Sequence, residues 1–103
     1  MPITNPSAQI NFPSASSAVQ ISNSLSTTQS VLCAANSNRR GLTIFNTSSS
    51  TIFIDYSNTV TTSDYAFSLI AGAFYEMPMP IYTGALHAIL SSGTASIEVR
   101  EFS

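Results

Sequence analysis

The sequence predicts an all-β domain: an antiparallel β-sandwich, jelly-roll-like, over residues 29–103, preceded by an extended N-terminal arm over residues 1–28. Three observations predict it. Short runs of Ile, Val, Thr, Phe and Tyr alternate with Ser, Asn, Gly and Pro, with run centres roughly 8–13 residues apart, the rhythm of a sandwich or jelly roll. Several runs alternate apolar and polar with period two, which puts one face inward. No stretch keeps an apolar i, i+3, i+4 pattern for three helical turns. With 103 residues the chain has room for one domain and little more.

The arm comes first. Pro2, Pro6 and Pro13 interrupt it and Ser14-Ala15-Ser16-Ser17 runs through it. Prolines at this spacing oppose helix and favour extended chain. Its large apolar residues, Ile3, Ile10, Phe12, Val19, Ile21 and Leu25, are scattered. They read as anchors that need a partner surface, since they cannot make a core alone.

Seven strand candidates follow: Gln29 to Ala34, Arg40 to Asn46, Thr51 to Tyr56, Ala66 to Leu69, Ala73 to Met77, Ala85 to Leu90 and Ala95 to Phe102. Leu42 and Ile44 share a face with Thr43 opposite. Ile52, Ile54 and Tyr56 share a face with Asp55 opposite. Ile97 and Val99 share a face with Ser96, Glu98 and Arg100 opposite. β-branched and aromatic side chains fill these positions and pack well on a pleated surface. The isolated glycines Gly41, Gly72, Gly84 and Gly93 read as turn or bulge positions with positive φ. Edge strands are commonly guarded by Lys, Pro or bulges. This chain has no Lys, so a partner subunit or a neighbour's arm is expected to cover its edges.

Charge narrows the function classes. Arg39, Arg40 and Arg100 are the only basic residues, and the formal net charge is −2. Phosphate recognition needs clustered Lys and Arg, so no nucleic-acid partner is expected. Charged residues make up 8% of the chain, against about 25% in an average domain. A free monomer normally stays soluble through interspersed charges. A surface of hydroxyls and amides suits a protein packed into an assembly or exported from a cell. The start of the chain lacks the basic and apolar segments of a secretion signal. Its longest apolar run, Leu69 to Tyr75, is far below the roughly 20 residues of a membrane helix. Synthesis in a host cytoplasm and release by lysis would reconcile these features, without a membrane partner.

Chemistry is sparse. Cys33 is alone, so no internal disulfide or thiolate cluster is expected, and it reads as a small buried residue. His87 is the single histidine and no Gly-x-Ser-x-Gly elbow is present, which argues against nucleophilic catalysis. Asp55, Asp64, Glu76, Glu98 and Glu101 show no calcium-loop spacing, and one His with one Cys makes no zinc site. No enzyme, cofactor or metal is therefore expected. Asn46-Thr47-Ser48 matches a glycosylation acceptor, a pattern common by chance. Two features suggest contacts. Arg39 and Arg40 stand beside a turn and read either as solvated or as a pair for an acidic patch on a partner. Tyr65 and Tyr82 are the tyrosines expected at exposed contacts, whereas Tyr56 and Tyr75 read as packing residues.

The run Ala35-Asn36-Ser37-Asn38-Arg39-Arg40-Gly41-Leu42-Thr43-Ile44-Phe45-Asn46-Thr47-Ser48 resembles a segment of small tailed-bacteriophage virion proteins, where it opens a β-sandwich after a turn. Leu69-Ile70-Ala71-Gly72-Ala73-Phe74-Tyr75-Glu76 is similar to the strand that follows in such chains. Tyr82 to Ile89 and Gly93 to Val99 resemble their closing strands. The resemblance covers roughly residues 29–103 and leaves the arm outside it. It implies a capsid decoration (cement) protein, or a head-fibre, neck or tail protein. It also implies a homotrimer or a place on a coat lattice, with a major capsid protein or another virion protein as partner. Ile3, Ile10, Phe12, Val19, Arg39, Arg40, Tyr65 and Tyr82 are then the expected interface residues. A carbohydrate-binding module using Tyr65 and Tyr82 is the alternative from another class.

Overall fold

A computed structural model describes residues 14–103. They form eight strands: β1 (Ala18–Gln20), β2 (Ser30–Cys33), β3 (Gly41–Phe45), β4 (Ile52–Asp55), β5 (Phe67–Leu69), β6 (Phe74–Glu76), β7 (Leu86–Leu90) and β8 (Glu98–Phe102). No helix occurs among the described residues. The strands make two antiparallel four-stranded sheets, ordered β1-β8-β3-β6 and β2-β7-β4-β5.

The alternation read from the sequence builds the core. Leu42 and Ile44 of β3 and Val99 of β8 bury one face of the first sheet. Ile52 and Ile54 of β4 and Leu86, Ala88 and Leu90 of β7 bury one face of the second. These side chains belong to one continuous hydrophobic cluster, so both sheets share a core. At about 25 cal/mol per Å2, each fully buried Leu, Ile or Val among them stabilises the fold by roughly 1.5–3 kcal/mol. Gly72 (φ 81°) and Gly93 (φ 72°) turn the chain between β5 and β6 and between β7 and β8 in the left-handed region that suits glycine.

Two expectations change. The sandwich does not begin at residue 29. β1 pairs with β8 through Ala18↔Phe102, Val19↔Glu101 and Gln20↔Arg100. Beyond it, the Ile21 N–H donates to the Val99 carbonyl at 3.0 Å. The Asn23 amide donates to the Ile97 carbonyl at 2.8 Å and accepts from the Ile97 N–H at 2.9 Å. Leu25 then bridges Ala95 and is buried. Residues 18–25 thus line the final segment of the chain, and the boundary drawn at residue 28 does not hold. Gly41 and Gly84 also lack positive φ. At Gly84 a Cβ would overlap the Tyr82 ring, so this glycine serves close approach, whereas at Gly41 a Cβ would make an ordinary 3.4 Å contact with the Phe102 ring.

Candidate functional site

A bulge in β2 starts the most organised polar feature of the molecule. Val31 pairs with His87 and Cys33 with Leu86, so the register slips between them. The extra residue lets Leu32 and Cys33 both turn inward despite being consecutive. The Cys33 thiol therefore sits inside, at the end of the sandwich where Glu101 of β8 also points in.

Arg39 completes this cluster. Its Nε donates to Glu101 Oε2 at 2.7 Å. Nη1 donates to the carbonyls of Tyr82 at 2.7 Å and Gly84 at 2.9 Å. Nη2 donates to Cys33 Sγ at 3.2 Å and to the Ala34 carbonyl at 2.6 Å. A guanidinium has five N–H groups, and these five bonds engage them all. Glu101 Oε1 accepts from the Asn36 amide at 2.9 Å, and Oε2 accepts from the Cys33 thiol at 3.4 Å. One ion pair thus ties together the end of β2, the β2–β3 loop, the β6–β7 loop and β8.

Burial pushes the Glu101 carboxyl up. Hydrogen bonds from Asn36, Arg39 and Cys33, with the Arg39 charge, outweigh burial and hold it below its ordinary value. Burial pushes the Cys33 thiol up; Arg39 opposes this and Glu101 adds to it. The site holds a thiol pushed up by burial, a carboxylate held below its ordinary value and an arginine with every N–H engaged.

The expected interface residues fall in different places. Ile3, Ile10 and Phe12 lie outside the described residues. Arg39 is 3% exposed, so it is neither a solvated turn residue nor a contact for a partner's acidic patch. Its charge is consumed by Glu101, whose inward position follows the parity of Ile97 and Val99. Arg40 is exposed and donates to the Ser14 carbonyl at 2.9 Å. Val19 is 45% exposed on β1. Tyr65 is exposed and meets the Phe53 ring edge-on at 4.8 Å. Tyr82 is exposed and meets Tyr56, itself exposed, at 4.8 Å. The interface set is therefore dispersed, with Arg39 removed from it.

His87 lies across from Asp55, and its Nδ1 accepts a hydrogen bond from the Gln29 amide nitrogen at 3.0 Å. Asn46 is fully buried, its amide nitrogen bonded to the carbonyls of Ser50 and Leu69 at 2.8 and 2.9 Å. The glycosylation match is accordingly sealed in the fold.

Sequence reasoning missed the outward row of the first sheet. Phe45 lies between Phe74 and Glu98, and Thr43 between Glu76 and Arg100. Phe45 and Phe74 are both exposed. Strict alternation from Leu42 and Ile44 puts Phe45 outward, so the signal was present. At the other end of this sheet Arg40, Thr43, Glu76, Met77, Met79, Ile81 and Phe102 line a groove of about 380 Å³. Comparison with protein-family models, curated proteins and solved structures gave no match.

Proposed function

We propose that the chain is a tailed-phage virion structural protein, a capsid decoration protein, built as a jelly-roll sandwich. The strand pairs β1-β8, β2-β7, β3-β6 and β4-β5 nest like one long antiparallel ribbon. The further pairs β8-β3 and β7-β4 support a ribbon rolled into the eight-stranded jelly roll, an architecture of viral capsid and lectin domains. Fold alone does not assign function. The observation that carries the reading is the surface: large apolar side chains including Val31, Phe45, Ile70, Phe74 and Met79 stand exposed on a chain with 8% charged residues. Such a surface calls for cover by other subunits. The resemblance of residues 35–48 to virion proteins supports the same reading.

The mechanism is mechanical. The sandwich docks over junctions between coat subunits at the virion surface, and Ile3, Ile10, Phe12 and Val19 of the N-terminal segment are the anchors buried against neighbours. At about 25 cal/mol per Å2, a few buried apolar side chains are worth a few kcal/mol before ordering costs. Assembly as a homotrimer multiplies the attachment. Quantitative mass spectrometry of purified particles tests this. Between one copy per coat subunit and one per three supports a lattice-wide decoration protein. A handful per particle moves the chain to the neck, tail or fibre, and absence from particles defeats the virion reading.

The exposed pair Tyr56–Tyr82, and exposed Tyr65 against half-buried Phe53, favour a second reading, carbohydrate binding by aromatic stacking. Binding on a glycan panel that is lost in Tyr65→Ala and Tyr82→Ala chains would put this reading first.

A further inference from the structure

Strand register orders the outward face of the first sheet in rows. One row runs Gln20, Arg100, Thr43 and Glu76 across β1, β8, β3 and β6. The next runs Glu98, Phe45 and Phe74 across β8, β3 and β6. Phe45 is 43% exposed and Phe74 61%, so two neighbouring rings stand on the side of the sheet away from the core.

The charges on this face have a symmetry of their own. Arg100 and Glu76 flank Thr43, each one strand away, about 5 Å, on opposite sides of β3. Both are exposed. Arg100 uses Nη1 alone, donating to Glu98 at 2.9 Å and to the Val99 carbonyl at 3.2 Å. Its Nε and Nη2 have no hydrogen-bond partner among the described residues. Nor does the Glu76 carboxylate form an ion pair among them. The spare donors and the spare acceptor thus lie on the same row, equally far from β3.

A twofold axis running along β3, between two copies of this face, brings Arg100 of one copy over Glu76 of the other and repeats the contact in reverse. It places Phe45 on Phe45 of the second copy. It also places Phe74 beside the Arg100–Glu98 pair, where a ring next to a guanidinium is favoured. Such a self-complementary patch is what an isologous interface requires. Packed sheets stand about 10 Å apart with strand directions within about 30°, which keeps these side chains within reach of each other. An axis across the strands would instead set Arg100 on Arg100, so the charges select the direction along β3. We infer that a second copy of this chain covers the outward face of the first sheet, related by a twofold axis along β3 and held by two reciprocal Arg100–Glu76 pairs around the Phe45 and Phe74 rings. The pairing belongs to the chain before a larger assembly takes this face. It does not rest on the virion reading, in which homotrimer contacts use other surfaces.

The test is the mass of the full chain in solution, by sedimentation over a concentration series, with charge reversals at the two positions. The parent chain should form a particle with an even number of chains. Glu76→Arg and Arg100→Glu chains, each alone, should fall to half that number, because like charges then face each other. Mixing the two variants should restore the even particle, with one chain of each kind across the axis. A parent that is a monomer or a trimer at every concentration overturns the proposal. So do single variants that keep the parent's mass, or a mixture that stays at half of it. Should a reversal misfold, a Thr43→Cys chain treated with a short bismaleimide decides instead, since Cys33 is buried. Position 43 lies on the axis, so chain-to-chain crosslinks should be at least tenfold more abundant than for Val31→Cys, exposed on the other sheet. Equal crosslinking overturns the proposal.

Discussion

Arg100 and Arg39 each pair with a carboxylate, at 2.9 and 2.7 Å, in opposite surroundings. Arg100 and Glu98 are nearly half exposed, and exposed pairs contribute about 0–1 kcal/mol. Arg39 and Glu101 are almost wholly enclosed, where removal of one partner leaves a buried charge and costs about 3–5 kcal/mol. Urea unfolding should therefore show Arg39→Ala losing several kcal/mol, on the order of 3 or more, while Arg100→Ala loses less than about 1. Equal losses would refute this ranking. Glu101 also sets a pH dependence. Its folded pKa lies below its unfolded value, so its stabilisation is complete above the ordinary glutamate value and is lost as pH falls through the folded one. The parent chain should lose stability as pH drops below about 4.3. A Glu101→Gln chain should be weaker at neutral pH and flatter in that acid range. Cys33, protonated and buried in the same cluster, should react with a thiol reagent only as fast as the fold opens. Labelling of the native chain at the rate of a free thiol would contradict that enclosure.

Seven strands were legible because alternation and turn residues agreed, and the observed bounds fall inside the predicted runs. The eighth strand was missed for a physical reason. Val19, Ile21, Asn23 and Leu25 alternate correctly, but an asparagine occupies the third position. Its amide bonds both polar groups of Ile97 and so replaces a strand's ladder bonds with a side chain. With prolines and a serine run upstream, the pattern reads as an extended arm. The cluster around Arg39 was hidden for another reason. It depends on a bulge in β2 and on the inward parity of Glu101, which only the pairing of β8 with β3 and β1 fixes. The corrected boundary changes what truncation does. Removing residues 1–28 takes away β1 and the buried Leu25 and opens an edge of β8, whereas removing 1–13 spares all eight strands of the described residues. The shorter deletion should retain a cooperative thermal transition in circular dichroism. The longer one should aggregate or lose that transition, and a well-folded monomer would show that β1 is dispensable.

Taken over the whole molecule, charge is scarce and mostly spent internally. Of three arginines, Arg39 is enclosed with Glu101, Arg100 holds Glu98, and Arg40 holds the Ser14 carbonyl. Asp55, Asp64 and Glu76 form no ion pair among the described residues. Long-range attraction needs net charge of opposite sign on the two partners, and salt screens it within about 10 Å at 0.1 M. Apolar contact has no such dependence. On the proposed decoration role, attachment through Phe45, Phe74, Met79 and their neighbours should therefore survive salt. In a pelleting assay on particles stripped of this chain, the apparent Kd should change less than about threefold between roughly 0.05 and 0.5 M sodium chloride. It should tighten in sulfate, which strengthens apolar burial. A Phe45→Ser, Phe74→Ser chain should bind at least tenfold more weakly if this face is the docking surface, because each ring buried against a partner is worth about 1.5–3 kcal/mol. Binding that instead collapses with sodium chloride would mean that the few exposed carboxylates make the contact. The apolar faces would then have to be covered by further copies of this chain.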